Sequence, residues 1–423
     1  MLTKFFYKAT AAAVLLLAGA APAFADPLLT RDTQGVMTRP RPDYDPKGLP
    51  LGGFRGFLTA DLHGGYDDNV VRQDVGAASG SAFAAEKLGA VLQSQWSRHS
   101  LDIYGNVDAT QYTTLPHESQ TNFTVGGDGL YDISRGIDTT AGGSFAALHE
   151  ARQSPEQPGN ALDPTAYRQG DAHYTLEYHP YSFAVQVGGS YQRKDYSATR
   201  ISGGSLLSNT DRDEDIYGAF VKTAYEFSPG YAAFVRADYN DRSFDLLLDR
   251  NGFHRASHGY TVNGGLDLML TDLLHGEVFA GYIIQNYKGT VLKPLQNISG
   301  VDYGAALDWY ATPLLTVHVT AAHTVNDTIL AGTSASEDQS GGLSADYEIA
   351  ENIIIQGNAS YRDSGYSGGI RDDKYTDVGI GTKFLLNHYM SLNAGYTFEN
   401  RKSSVVGANY DDNILTLGLT LQE

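Results

Sequence analysis

Between Phe54 and Leu421 the chain repeats one pattern: segments in which apolar side chains alternate with small or polar ones. Each segment runs for roughly ten to fifteen residues, and a period of two is that of a strand with two unlike faces. In Tyr231 to Asn240, one face carries Tyr231, Ala233, Val235, Ala237 and Tyr239, and the other carries Ala232, Phe234, Arg236, Asp238 and Asn240. The last segment sets Leu415, Leu417, Leu419 and Leu421 against Thr416, Gly418, Thr420 and Gln422. No helical period competes with this alternation after residue 26.

The connections are of two kinds, in strict alternation. Tight turns are expected near Ser97-Arg98, Arg135-Gly136, Pro180, Ser228-Pro229-Gly230, Asp272-Leu273, Thr312-Pro313, Glu351-Asn352 and Asn387-His388. Longer polar stretches near 67–80, 113–120, 151–165, 197–211, 245–256, 289–298, 327–336, 364–372 and 402–410 separate them. Eight tight turns make eight hairpins, and a strand at each end brings the expectation to about eighteen strands, with sixteen as the second choice.

This arrangement points to an all-β fold, a transmembrane antiparallel up-and-down β-barrel. A bilayer admits only helices or closed sheets, because unpaired backbone groups find no water there. The segments are long enough to cross, and short turns on one side with longer loops on the other are the habit of outer-membrane barrels. Such barrels carry aromatic girdles at both interfaces. Tyr131, Tyr178, Phe227, Tyr231, Tyr347 and Tyr389 are the expected girdle at the tight turns, and Tyr112, Tyr196, Tyr239, Tyr287, Tyr366 and Tyr410 the one at the long loops. A soluble propeller, with shorter strands, needs neither girdle.

If the apolar face meets lipid, the other face lines the bore. Parity places fifteen acidic side chains inward, from Asp61 to Glu399, against six basic ones, Arg55, Lys87, Lys222, Arg236, Arg362 and Lys383. A barrel this wide holds water rather than side chains alone, so the expected pore wall is net negative and favours cations. The formal charge of −19 also argues against nucleic acid as a partner. With no cysteine there is no disulfide framework, thiolate metal site or thiol nucleophile.

Residues 1–25 read as a signal peptide: Lys4 and Lys8, an apolar run around Val14-Leu15-Leu16-Leu17, then Ala23-Phe24-Ala25 with cleavage expected between Ala25 and Asp26. Residues 26–53 form a second unit containing Pro27, Pro40, Pro42, Pro46 and Pro50, expected to be an extended periplasmic arm that tethers, plugs or docks. The barrel unit is 54–423.

Motifs for chemistry fail on inspection. Gly332-Thr333-Ser334-Ala335-Ser336 lacks the closing glycine of a nucleophile elbow, and His149-Glu150 lacks a second histidine one turn on. Asp211-Arg212-Asp213-Glu214-Asp215 begins like a calcium loop but continues with Ile216 where that loop needs glycine. The expectation is no enzyme, no catalytic residue, no metal site and no cofactor.

Several strings together resemble a known family: Thr38-Arg39-Pro40-Arg41-Pro42-Asp43-Tyr44-Asp45-Pro46, Gly65-Tyr66-Asp67-Asp68-Asn69-Val70, Glu226-Phe227-Ser228-Pro229-Gly230-Tyr231, Gly276-Glu277-Val278-Phe279-Ala280-Gly281-Tyr282 and Thr328-Ile329-Leu330-Ala331-Gly332. The chain is similar, from about residue 36 onward, to the family called putative beta-barrel porin 2. The resemblance implies a Gram-negative outer-membrane barrel, often associated with exopolysaccharide or capsule export, with no defined catalytic residues. The first functional expectation is therefore a channel in such export. The alternative is a general diffusion porin for small, cation-preferred solutes, and the third is a barrel enzyme or surface adhesin. The expected substrate path comprises Arg236, Asp238, Asp267, Glu277, Asp308 and Arg362, with Tyr104 and Phe234 as stacking surfaces for sugar rings. Expected partners are outer-membrane lipid, lipopolysaccharide and periplasmic polysaccharide-export components.

Overall fold

The computed structural model describes residues 35–74, 76–270 and 273–423. The expected signal peptide, its cleavage site at Ala25 and Asp26, the first part of the arm and the turn residue Asp272 lie outside these.

Eighteen long strands follow one another. The first six are β1 Phe54–Asp67, β2 Ser81–Ser94, β3 Ser100–Tyr112, β4 Gln120–Ser134, β5 Ile137–His149 and β6 Ala166–Tyr178. Then come β7 Phe183–Tyr196, β8 Glu214–Ser228, β9 Tyr231–Phe244, β10 Ser257–Leu270, β11 Leu274–Tyr287 and β12 Ile298–Thr312. The last six are β13 Leu315–Asp327, β14 Ala335–Ala350, β15 Ile353–Ser367, β16 Asp372–Asn387, β17 Met390–Ser403 and β18 Tyr410–Gln422. Each pairs antiparallel with the next, and β18 returns to β1 through Ala60↔Leu421 and Tyr66↔Leu415, which closes the ring. Closure leaves no strand edge, which is what lets a sheet sit in lipid. Among the described residues no helix is long and apolar enough to cross a membrane, and the crossing is made by strands.

The two-residue period fixes the faces. Val235 is 59% exposed while its neighbour Phe234 is 4% exposed, because one looks out from the wall and the other into it. Among the described residues the tight turns fall where expected, and at the β8–β9 turn Gly230 takes φ +82°, a left-handed conformation that disfavours side chains. The girdle at the tight turns stands outward through Tyr131, Tyr178, Phe227, Tyr347 and Tyr389.

The other girdle departs from expectation. Of its six tyrosines only Tyr239 faces out, whereas Tyr287, Tyr366 and Tyr410 are buried and Tyr112 and Tyr196 share their inward register. Closeness to a loop does not set a face; parity does, and one residue of offset reverses it. Tyr66, Tyr217, Tyr260, Tyr282 and Tyr361 form the outward ring at that end instead. Charge also breaks the lipid face at one deeper position, where Glu86 stands outward between Leu62 and Ala109.

The arm differs as well. Residues 35–48 make successive turns inside the tight-turn mouth rather than running extended. Val36 packs with Ile354 and Leu385 and donates its N–H to Thr316 Oγ1 at 2.8 Å. Arg41 lies 2.6 Å from Glu348, with Arg39 on the other oxygen of the same carboxylate. These inward-facing side chains, spread over β13–β16, give a proline-rich segment a surface to fold against. The short strand Leu49–Leu51 then pairs with the start of β1.

Candidate channel lumen and outer mouth

All fifteen acids and six bases assigned inward by parity do occupy the inner register. Asp67, Asp132, Asp138, Asp171, Glu214, Asp338, Asp373 and Asp412 join them on the acidic side and Lys194, Arg242 and Arg401 on the basic side, so the excess of acid on the wall is larger than the sequence count.

Of the residues expected on the path, Phe234, Arg236, Asp238, Asp267 and Glu277 come together on β9–β11, with Asp308 one strand further on. Arg362 on β15 and Tyr104 on β3 lie elsewhere around the ring. Much of their charge is matched within the wall. Arg236 binds Asp238 at 2.7–3.0 Å and stands 4.6 Å above the Phe220 ring. Lys222 meets Glu277, and Asp267 is fully buried. Arg362 lies 4.1 Å over Tyr375. His318 bridges Asp308 at 2.5 Å and Asp346 at 3.4 Å. Asp128 and Asp308, with side chains 50% and 48% exposed, present charge to the bore.

Phe234 does not offer a stacking face. It is 4% exposed and covered by the Lys222 ammonium at 4.1 Å from the ring centre. Its ring lies against Gly265, where a Cβ would collide with it. The same device recurs with Phe83 over Gly65, Tyr104 over Gly126, Phe220 over Gly188 and Phe279 over Gly304. An inward glycine beside an inward aromatic lets the ring lie flat on the wall, filling the gap without blocking the bore. This accounts for five of the glycines inside strands, among them Gly126 of the Gly126-Gly127-Asp128-Gly129 run. The wall also holds a recess of about 190 Å³ between β9 and β13, lined by Phe234, Arg236, Asp238 and Glu277 together with Arg242, Asn263, Phe279 and Asp302. Asn263 and Phe279 have the parity of Asp267 and Glu277 on the same two strands, which is the signal that places them inward.

The longer loops close in over the outer mouth. The acidic string in the β7–β8 loop divides among separate partners: Asp211 binds Arg250, Arg212 binds Glu150, Asp213 accepts from the Tyr196 N–H, Glu214 binds Lys194 and Asp215 binds Arg193. Its charges are structural ties between loops and strand ends. Arg72, held at φ +55°, joins Asp67, Glu399 and Asp412 from the β1–β2 loop. Loop 150–165 reaches furthest. Arg401 on β17 donates to the Gln153 carbonyl at 2.8 Å. Glu156 accepts from Thr328 Oγ1 at 2.5 Å and from the Ile329 N–H at 2.9 Å. The loop joining β5 to β6 and the one joining β13 to β14 lie eight positions apart in a ring of eighteen, so the contact crosses to the far part of the mouth. Neither the crossing nor its partners have a local sequence signal, because the contact joins residues 172 and 173 positions apart.

Solved barrels similar to this chain include the FrpB iron transporter from Neisseria meningitidis, at 8% identity over 84% of this chain and 63% of that one, TM-score 0.48. OpdO from Pseudomonas aeruginosa is 14% identical over 87% of this chain and 97% of its own, TM-score 0.43. The outer membrane protein OpdK from the same organism is 12% identical over 87% and 99%, TM-score 0.44. The chain thus spans less than two thirds of FrpB. No curated protein matches it in sequence. The family described as Putative beta-barrel porin 2 matches residues 41–423, which takes in the whole barrel and the end of the segment before it. An eighteen-strand ring with a greasy exterior and a charged bore is an outer-membrane barrel, and the chain belongs to the putative beta-barrel porin 2 family.

Proposed function

We propose that this barrel is a diffusion channel for small hydrophilic solutes, with a preference for cations. The observation that carries the reading is the inner wall itself, a closed ring on which acids outnumber bases and on which Asp128 and Asp308 remain half exposed to the bore. A wall of that sign concentrates cations and repels anions by the same electrostatics that operate in charged pores. Loop 150–165 across the mouth supports small solutes over a polymer.

The association of the family with exopolysaccharide export supplies the second reading. It needs a bore that admits a chain of sugars, and the residues expected to stack against those sugars are covered in the case of Phe234.

Reversal potentials in planar bilayers under a salt gradient test the first reading. Cation preference is expected, and a clear anion preference would remove it. Deletion of the gene separates the two: lost uptake of small cations with unchanged secreted polysaccharide fits diffusion, and the converse fits export.

A further inference from the structure

Loop 150–165 is held unequally at its two ends. At its root, Arg152 pairs with Glu118 at 2.5 Å and Arg212 pairs with Glu150 at 2.6 Å, with all four side chains largely buried. These ties bind the loop to its neighbours on its own side of the ring. Past the root, among the described residues, three hydrogen bonds reach other parts of the ring: Arg401 on β17 to Gln153, and, at the tip, Thr328 and Ile329 to Glu156. Pro155 and Pro158 bracket Glu156, so the tip is stiff and moves as one piece. The surface it meets is fixed independently, because Asn251 and Arg255 each donate at 3.0 Å to the carbonyls of Ile329 and Leu330.

We propose that loop 150–165 is a hinged lid over the outer mouth, caught by Glu156 on Thr328 and Ile329, and that solute entry is gated by release of this catch. The inference rests on the channel reading and adds its regulation. The near side is held by more ties than the tip: beside the two ion pairs, the Leu162 N–H donates to the Arg200 carbonyl at 2.8 Å, the Ser202 N–H donates to the Asn160 carbonyl at 2.9 Å, and Arg200 pairs with Asp163 at 2.8 Å, so the loop opens from its far end and swings on its own side of the ring.

The absence of cysteine makes a clean test available. In the full mature chain, Glu156→Cys with Thr328→Cys is joined by a short, reducible bis-methanethiosulfonate linker, and the cross-link is verified by mass. Planar-bilayer conductance is expected to fall severalfold on cross-linking and to recover on reduction. Separately, Glu156→Ala is expected to raise the ratio of open to closed dwell time roughly tenfold, as loss of hydrogen bonds to a charged group predicts. Equal conductance in the verified cross-linked and reduced states overturns the lid while leaving the channel intact. An absence of current from folded, heat-modifiable protein in both its wild-type and Glu156→Ala forms overturns the channel reading itself, and the lid with it.

Discussion

Lys222 on β8 reaches Glu277 on β11, spanning two intervening strands along the inner wall, and its ammonium rests 4.1 Å above the ring of Phe234. Lys222 is fully buried, so the pair and the aromatic face replace all of its water. Removing one member of such a pair strands the other.

Lys222→Ala is accordingly expected to destabilise the barrel by about 3–5 kcal/mol. The double change of Lys222 and Glu277 to methionine should recover most of that loss. Urea unfolding of vesicle-inserted protein measures both, and a single variant as stable as wild type would show that the pair contributes nothing.

The glycine-and-ring device gives a second expectation. The three atoms nearest to a Cβ on Gly304 all belong to the Phe279 ring, so Gly304→Ala should cost about 1–3 kcal/mol through overpacking. Phe279→Ala in the same chain should relieve the clash, giving a double-mutant cycle with clear non-additivity. Additive losses would mean that the ring and the glycine do not depend on each other.

A third concerns Glu86, outward on β2 among lipid-facing residues. Glu86→Leu should stabilise the inserted barrel by about 1 kcal/mol, since an acidic side chain on the lipid face carries a depth-dependent cost. Refolding into vesicles at graded urea reads this directly. A marked loss of stability would indicate that the carboxylate has a partner at that surface.

Acid should close the mouth. Removal from water pushes the Glu156 carboxyl above the ordinary glutamate value of 4.5; Glu150 adds to this, and Arg212, Thr328 and Ile329 oppose it. Arg401 and Tyr366 are the other titratable groups facing the latched tip. A proton therefore binds the latched loop more tightly than a released, solvated one. The extra stability of the latch is fully present below the ordinary value and is lost as pH rises through the raised one. Conductance should fall as pH drops from neutral toward 4.5, and Glu156→Gln should flatten this response. Channels that open on acidification would contradict the assignment.

What the chain alone determined was everything with a period or a boundary. The alternation of Tyr231 to Asn240, the turn at Ser228-Pro229-Gly230 and the leucines of β18 were enough for strand number, hairpin order and the inward face, because each depends on residues within a few positions of one another. The tertiary structure decided what faces what across the bore. Lys222 and Glu277, Phe279 and Gly304, and Glu156 and Thr328 are distant in sequence or on different strands, and their meeting depends on ring closure and register rather than on local pattern. The rim tyrosines show the limit most simply: their positions near the loops were legible, but the side each faces was set by a single step of pleat.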